Sequence, residues 1–340
     1  MIIVLKPGIS KQLESTVLAE IRKRGYRPHV MRGVARTVIG AIGDELTHAS
    51  LESLALEFPQ AVESVNPIQK RYKRVSREAH PADSTVAVRG EVIGGKKFQV
   101  MAGPCSVESE KQLITTATAV KAAGATILRG GAFKPRTSPY EFQGLGEAGL
   151  KLLAKARRET GLAVITELLS EAHAGLVAEY ADIIQIGARN SQNFQLLIAA
   201  AKTGKPVLVK RGLAMKIEEW LLAGEYVLAH ENPNLLFCER GIRTFETYTR
   251  NTLDLSAIPI LKQESHCPVV IDPSQGAGRA DLVAALCKGA VAMGADALLI
   301  EVHPNPAKAR SDRAQQLSLE GFAKLMVELK PLIAAMGREI

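Results

Sequence analysis

From about Lys97 to the C-terminus, short apolar runs alternate with stretches whose apolar residues recur at helical spacing. The runs are "FQVMAGP", "TILRGGA", "AVITEL", "IIQIGA", "PVLVKRG", "LLFCERG", "VVIDPS" and "ALLIEVHP". Helix candidates lie between them, such as residues 110–124, a segment beginning near Leu145, and residues 279–294. Eight such units over roughly 240 residues predict a (β/α)8 TIM barrel. An open doubly wound sheet is the competing architecture, but it needs a switch point and usually fewer strands.

The N-terminal stretch has a different rhythm. "MIIVLK" predicts a strand, and "SKQLESTVLAEIRKRG" a helix with Ser10 as N-cap, Leu13, Val17, Leu18 and Ile21 on one face, and Gly25 as C-cap. "YRPHVMRG" and "RTVIGAIG" read as two more strands, "THASLESLALEF" as a second helix and "AVESVNPI" as a closing strand. The order βαββαβ is that of a small ferredoxin-like α+β domain. The expected division is residues 1–68 for this domain, 69–96 for a linker and barrel lead-in, and 97–340 for the barrel. The lead-in begins with "QKRYKRVSR", which reads as a solvated charged linker.

Composition narrows the partners. The chain has 340 residues, 46% hydrophobic and 23% charged, enough for a sizeable core. It holds no apolar segment of membrane-spanning length, and "MIIVLKPG" lacks the form of a signal peptide. Four scattered cysteines without CxxC spacing point to free thiols in a reducing compartment, the cytoplasm. The net charge of +8 would suit nucleic acid or anionic small molecules. With aromatics at 4% and no nucleic-acid motif, the small molecules are favoured.

In a barrel, chemistry collects at the C-terminal ends of the strands. Those ends carry Cys105, then Arg129, Lys134 and Arg136, then Glu167, Arg189, Lys210 and Arg211, Arg240 and Arg243, Asp272 and Gln275, and finally Glu301 and His303. So many buried cations would be costly without anions among them, which points to phosphorylated or carboxylated substrates. Cys105, Glu301 and Asp312 would converge at the mouth of a closed barrel, and such a mixed sulfur–oxygen set suits a borderline divalent ion. By itself Cys105 also fits a small buried hydrophobe.

"AGPCSVES", "LRGGAFKPRTSPYEFQGLG", "QIGARNSQNFQLL", "VLVKRG", "CERGIRTFE", "VVIDPS" and "IEVHP" followed by "SD" resemble the 3-deoxy-D-arabino-heptulosonate 7-phosphate (DAHP) synthases, in the subgroup with a ferredoxin-like domain before the barrel. The resemblance covers nearly the whole chain. It implies condensation of phosphoenolpyruvate with erythrose 4-phosphate, the entry step of the shikimate pathway. It also implies that Arg129, Lys134, Arg189, Lys210 and Arg240 hold phosphoenolpyruvate, and that Arg136 and Thr137 hold the sugar phosphate. Asp272 is expected among the substrate-binding residues, Lys210 as proton donor and Glu167 as handler of the attacking water. Feedback control by tyrosine or phenylalanine through the small domain and a homotetramer are further implications.

The implied metal ligands are Cys105, Glu301, Asp312 and a histidine after the "DPS" turn, where this chain has Gln275. His266 precedes the strand and belongs to the opposite barrel end, while His303 matches a family histidine that is no ligand. Three readings of Gln275 stand side by side. Its amide oxygen ligates an ion, Mn²⁺ being the best match; or it holds a metal-bound water or serves an enzyme needing little metal; or the chain is an impaired relative. Rival functions are an amino-acid sensor that has lost turnover and a related synthase acting on arabinose 5-phosphate.

Overall fold

The computed structural model describes residues 1–33, 36–43, 50–66 and 71–340. It divides into two compact units, Met1–Arg71 and Tyr72–Ile340. In the first, β1 (Ile2–Leu5), α1 (Lys11–Lys23), β2 (Arg27–Arg32), β3 (Thr37–Ile42), α2 (Leu54–Glu57) and β4 (Val62–Asn66) follow in order. The strands form an antiparallel sheet ordered β2-β3-β1-β4, the ferredoxin-like arrangement. Ser10 caps α1 by accepting from the Leu13 amide, and Val17 and Ile21 bury that helix's apolar face against Ile3, Leu5 and Ile39. The second helix is shorter than its pattern predicts. Residues 44–49 lie outside the described ones, and the helix closes at Phe58, whose following Pro59 disfavours helical backbone.

The second unit opens with a hairpin, β5 (Val86–Val88) and β6 (Glu91–Ile93). Eight parallel strands follow: β7 (Gln99–Gly103), β8 (Ile127–Arg129), β9 (Ala163–Leu168), β10 (Ile183–Ile186), β11 (Val207–Lys210), β12 (Leu235–Glu239), β13 (Val269–Ile271) and β14 (Ala297–Glu301). They close into a barrel, β14 pairing with β7.

Strand alternation sorts the side chains into two cores. Val100, Val164, Ile184, Val209, Phe237, Val269 and Leu298 pack outward against the helices. Met101, Ile127, Ile165, Ile183, Leu208, Cys238, Val270 and Leu299 fill the interior, and Val86, Val88 and Ile93 of the hairpin join them. The interior is therefore a packed plug, and the open end is the one to which the strands' C-termini point.

The charged lead-in is less solvated than its composition suggests. From Tyr72 onward it is laid against the barrel: the Tyr72 hydroxyl lies 2.6 Å from Glu264, and the amides of Arg74 and Val75 donate to Glu225. Val75 and Ser76 are buried there.

Candidate active site

The interior alternation places the site. Two residues beyond the inward apolar side chains Ile127, Ile165, Ile183, Leu208, Cys238, Val270 and Leu299 stand Arg129, Glu167, Gln185, Lys210, Arg240, Asp272 and Glu301. The last inward layer of the barrel is thus polar on almost every strand. At β7 a side chain is excluded altogether. A Cβ on Gly103 would lie 2.1 Å from the Arg129 carbonyl, so only glycine allows β7 to approach β8 here and deliver Cys105 to the mouth.

A cavity of about 230 Å³ lies over this layer. Among the described residues it is lined by Arg129, Lys134, Arg136, Arg189, Lys210, Arg240 and Arg250 against the carboxylates of Glu141, Glu167 and Asp312; Thr137, Gln185 and Gln275 complete the polar lining. Seven cationic side chains facing three carboxylates leave a strong positive excess in a concave, partly dry site. Such a site attracts anions and strengthens their binding.

Most of these cations are held in place by side chains of the site. Arg129 is buried and donates from Nη1 to the Pro104 carbonyl and to Glu301 Oε1, both at 2.9 Å. Its Nε is buried with no hydrogen-bond partner among the described residues, a donor that an anionic ligand could satisfy. Burial opposes the Arg129 charge, but Glu301, Cys105 and Asp272 together outweigh it and raise its pKa. Lys210 Nζ lies 2.5 Å from Asp272 Oδ2, and Asp272 is completely buried. Asp272 also accepts from the Gln275 amide at 2.9 Å, capping the short helix Pro273–Ala277. Arg136 is propped by Glu141 at 3.0 Å. Arg189 and Thr137 are exposed at the rim.

At the edge of the cavity, which Asp312 lines, Cys105 Sγ and the carboxylates of Glu301 and Asp312 offer atoms within 4.8 Å of one another, a cluster able to hold a cation. Lys134 Nζ donates to the Cys105 sulfur at 3.1 Å. Burial, with Glu301 nearby, pushes the Cys105 thiol up to about 12. For Lys134, burial works against the charge, but the facing groups, Cys105 and Glu167 first, raise its pKa overall. Burial would also raise Asp312, yet Arg250, Lys134 and the Gln275 N–H hold its carboxyl down at about 2. Asp312 has a φ of +48°, a left-handed conformation rare outside glycine, asparagine and aspartate.

Three strand-end residues expected near the site lie elsewhere. Arg211 follows Lys210 and so points to the opposite face, where it binds Glu239 at 3.0 Å and Asp254 at 2.8 Å. Arg243 is exposed and does not line the cavity. His303 is buried 3.5 Å from Glu108. Asp272, expected among the substrate-binding residues, is sealed beneath Lys210 and does not line the cavity either. Lys210 therefore sits against a carboxylate rather than only among cations.

Sequence reasoning missed three contributors. Gln185 stands out as the one polar residue in "IIQI", a signal for an inward-facing site residue. Arg250 and Gln315 come from loops without such a pattern. Arg250 donates to Asp312 at 3.1 Å, and Gln315 donates to Glu301 at 2.7 Å and to Asp312 at 3.2 Å.

The fold and the site define a (β/α)8 enzyme for phosphorylated or carboxylated small molecules. Residues 76–335 match the DAHP synthetase I family, and residues 1–70 match the DAHP synthase ferredoxin-like domain. The chain belongs to the DAHP synthetase I family. Phospho-2-dehydro-3-deoxyheptonate aldolase of Thermotoga maritima is 49% identical over 342 residues, covering 100% of both chains. The crystal structure of a DAHP synthase from that organism superposes with a TM-score of 0.91 at 48% identity, covering 99% of this chain and 98% of the other. A truncated form of the Thermotoga synthase gives a TM-score of 0.74 at 50% identity, covering 78% of this chain and 97% of the other. The 2-dehydro-3-deoxyphosphooctonate aldolase of Caulobacter vibrioides is more distant, 33% identical over 69% of this chain and 87% of its own length.

Proposed function

We propose that the chain is a DAHP synthase, joining phosphoenolpyruvate to erythrose 4-phosphate. The observation that carries this reading is the charge of the cavity. Two phosphate monoesters and one carboxylate together bring about four to five negative charges, and seven cations against three carboxylates provide a matching excess. C3 of phosphoenolpyruvate attacks the aldehyde carbon, forming the new C–C bond, and the aldehyde oxygen takes up a proton. Water adds to C2, and phosphate leaves with cleavage of its C–O bond, giving the ketone.

In this scheme Arg129, Lys134, Arg189, Lys210 and Arg240 bind phosphoenolpyruvate, and the unpartnered Nε of Arg129 meets one of its oxygens. Arg136 and Thr137 bind the sugar phosphate. Lys210, anchored by Asp272, gives its proton to the developing alkoxide, and Glu167 takes one from the attacking water. Cys105, Glu301 and Asp312 would hold a divalent ion, Mn²⁺ being our assignment, their mixed donor set suiting a borderline cation. When bound, that ion polarises the aldehyde carbonyl.

The unit of residues 1–71 serves feedback control by tyrosine or phenylalanine, and the working form is a homotetramer in the cytoplasm. The match to a ferredoxin-like domain of DAHP synthases supports the first point. Among the described residues no helix is long and apolar enough to cross a membrane.

The test is phosphate release from phosphoenolpyruvate with erythrose 4-phosphate or arabinose 5-phosphate as acceptor. Release that depends on the four-carbon sugar supports the proposal. Preference for arabinose 5-phosphate would move the chain toward the Caulobacter-type activity, and no release with either would point to a sensor. For regulation, tyrosine and phenylalanine should inhibit the full chain and leave residues 72–340 uninhibited; equal inhibition of both would overturn the assignment.

A further inference from the structure

The carboxamide of Gln275 is turned the wrong way for a metal ligand. Its Nε2 donates to Asp312 Oδ2 at 2.8 Å and to Glu301 Oε1 at 3.1 Å, while its Oε1 accepts from Arg240 Nη2 at 2.8 Å. Neighbouring chemistry fixes this sense. Turning the amide over would set its NH2 against a guanidinium, donor against donor, and would aim its oxygen at two carboxylates. The backbone cannot relieve this easily. The Gln275 amide is bound to Asp272, and its carbonyl accepts from Asn251 Nδ2 at 2.9 Å.

The carboxylates are also fully occupied. Glu301 Oε1 accepts from Arg129 and Gln275, and its Oε2 from Gln315. Asp312 Oδ1 accepts from Arg250, and its Oδ2 from Gln275, Gln315 and the Cys105 thiol. Every carboxylate oxygen of the cluster thus has a donor from the chain itself, so nothing forces the pair apart without an ion.

We propose that Gln275 acts as a hydrogen-bond clamp in place of a metal ligand, so that the Cys105–Glu301–Asp312 cluster is preassembled by the chain's own donors and a divalent ion binds only by displacing the amide. The ion site is accordingly weak, and the folded barrel does not depend on it. The catalytic meaning of this clamp rests on the synthase reading above, but the clamp itself is read by binding.

The test uses the full chain after exhaustive chelation, titrated with Co²⁺ and followed by its visible d–d bands and its near-ultraviolet thiolate band from Cys105. Gln275→His should bind Co²⁺ at least about tenfold more tightly than the natural chain, since even a lost supporting contact to a metal site costs about 10–100-fold. Chelation should leave the melting temperature of the natural chain unchanged. Gln275→Glu gives a second arm. It keeps the Arg240 contact but adds a third carboxylate, so its melting temperature should fall on chelation and recover with Mn²⁺. Equal Co²⁺ affinity and equal thiolate bands in the natural chain and Gln275→His would overturn the clamp, as would a chelator-induced fall in melting temperature of the natural chain. DAHP formation is assayed in parallel: its absence in every protein, with and without Mn²⁺, would overturn the synthase reading while the Co²⁺ result still decides the clamp.

Discussion

Asp272→Asn isolates the anchor of the proposed proton donor. Asparagine is as good an N-cap as aspartate, so the cap on the Gln275 amide survives and only the charge facing Lys210 is removed. Removing one partner of a buried ion pair costs about 3–5 kcal/mol, because the remaining charge is left uncompensated. The Lys210 side chain is 6% exposed at the cavity edge and its partner 0%. Water can reach the lysine to a small extent, which favours the lower end, about 3 kcal/mol. For a unit of this size that corresponds to a drop of roughly 6–12 °C in melting temperature, read by circular dichroism. Turnover should fall as well, since Lys210 loses the group that aims it. Adding Lys210→Met to Asp272→Asn should restore much of the stability but none of the activity, because the stranded charge is then gone. A loss below about 1 kcal/mol in Asp272→Asn, or no recovery in the double variant, would refute the reasoning.

Gly187→Ala probes Glu167 from a distance. An added Cβ would stand 1.9 Å from Glu167 Oε1, while the backbone φ of −71° suits alanine, so the fold should hold and the carboxylate should be pushed aside. If Glu167 handles a proton, kcat should fall about 10²-fold or more with little change in melting temperature; an unchanged kcat would remove Glu167 from the scheme. Raising salt from 0.1 to 1 M shortens the screening length from about 10 to 3 Å, so KM for both substrates should rise several-fold in steady-state assays, with kcat changing less. A chain starting at Tyr72 should melt within a few degrees of the full barrel. One starting at Ser84 should melt clearly lower, having lost the Tyr72–Glu264 bond and the Glu225 contacts.

Much of this architecture is written locally. Each strand of the barrel is an apolar run short enough to read by eye, and its alternation already separates Leu208 and Lys210, facing in, from Val209 and Arg211, facing out. Applied strictly, that period of two removes Arg211 from the site and brings in Gln185. The converging Cys105 and Glu301 also follow from strand ends once closure is assumed, with Asp312 on the loop after the last strand.

Partnership across the barrel is a different kind of fact. Only the closed structure sets Asp272 beneath Lys210, 62 positions away, and brings Arg250 and Gln315 from long loops onto Asp312 and Glu301. The sequence by itself determined which residue types stand at the mouth, Gln275 among them, because propensity and alternation act over a few residues. Which way the Gln275 amide turns was decided by Arg240 on one side and two carboxylates on the other, groups whose separation along the chain carries no record of their distance in space.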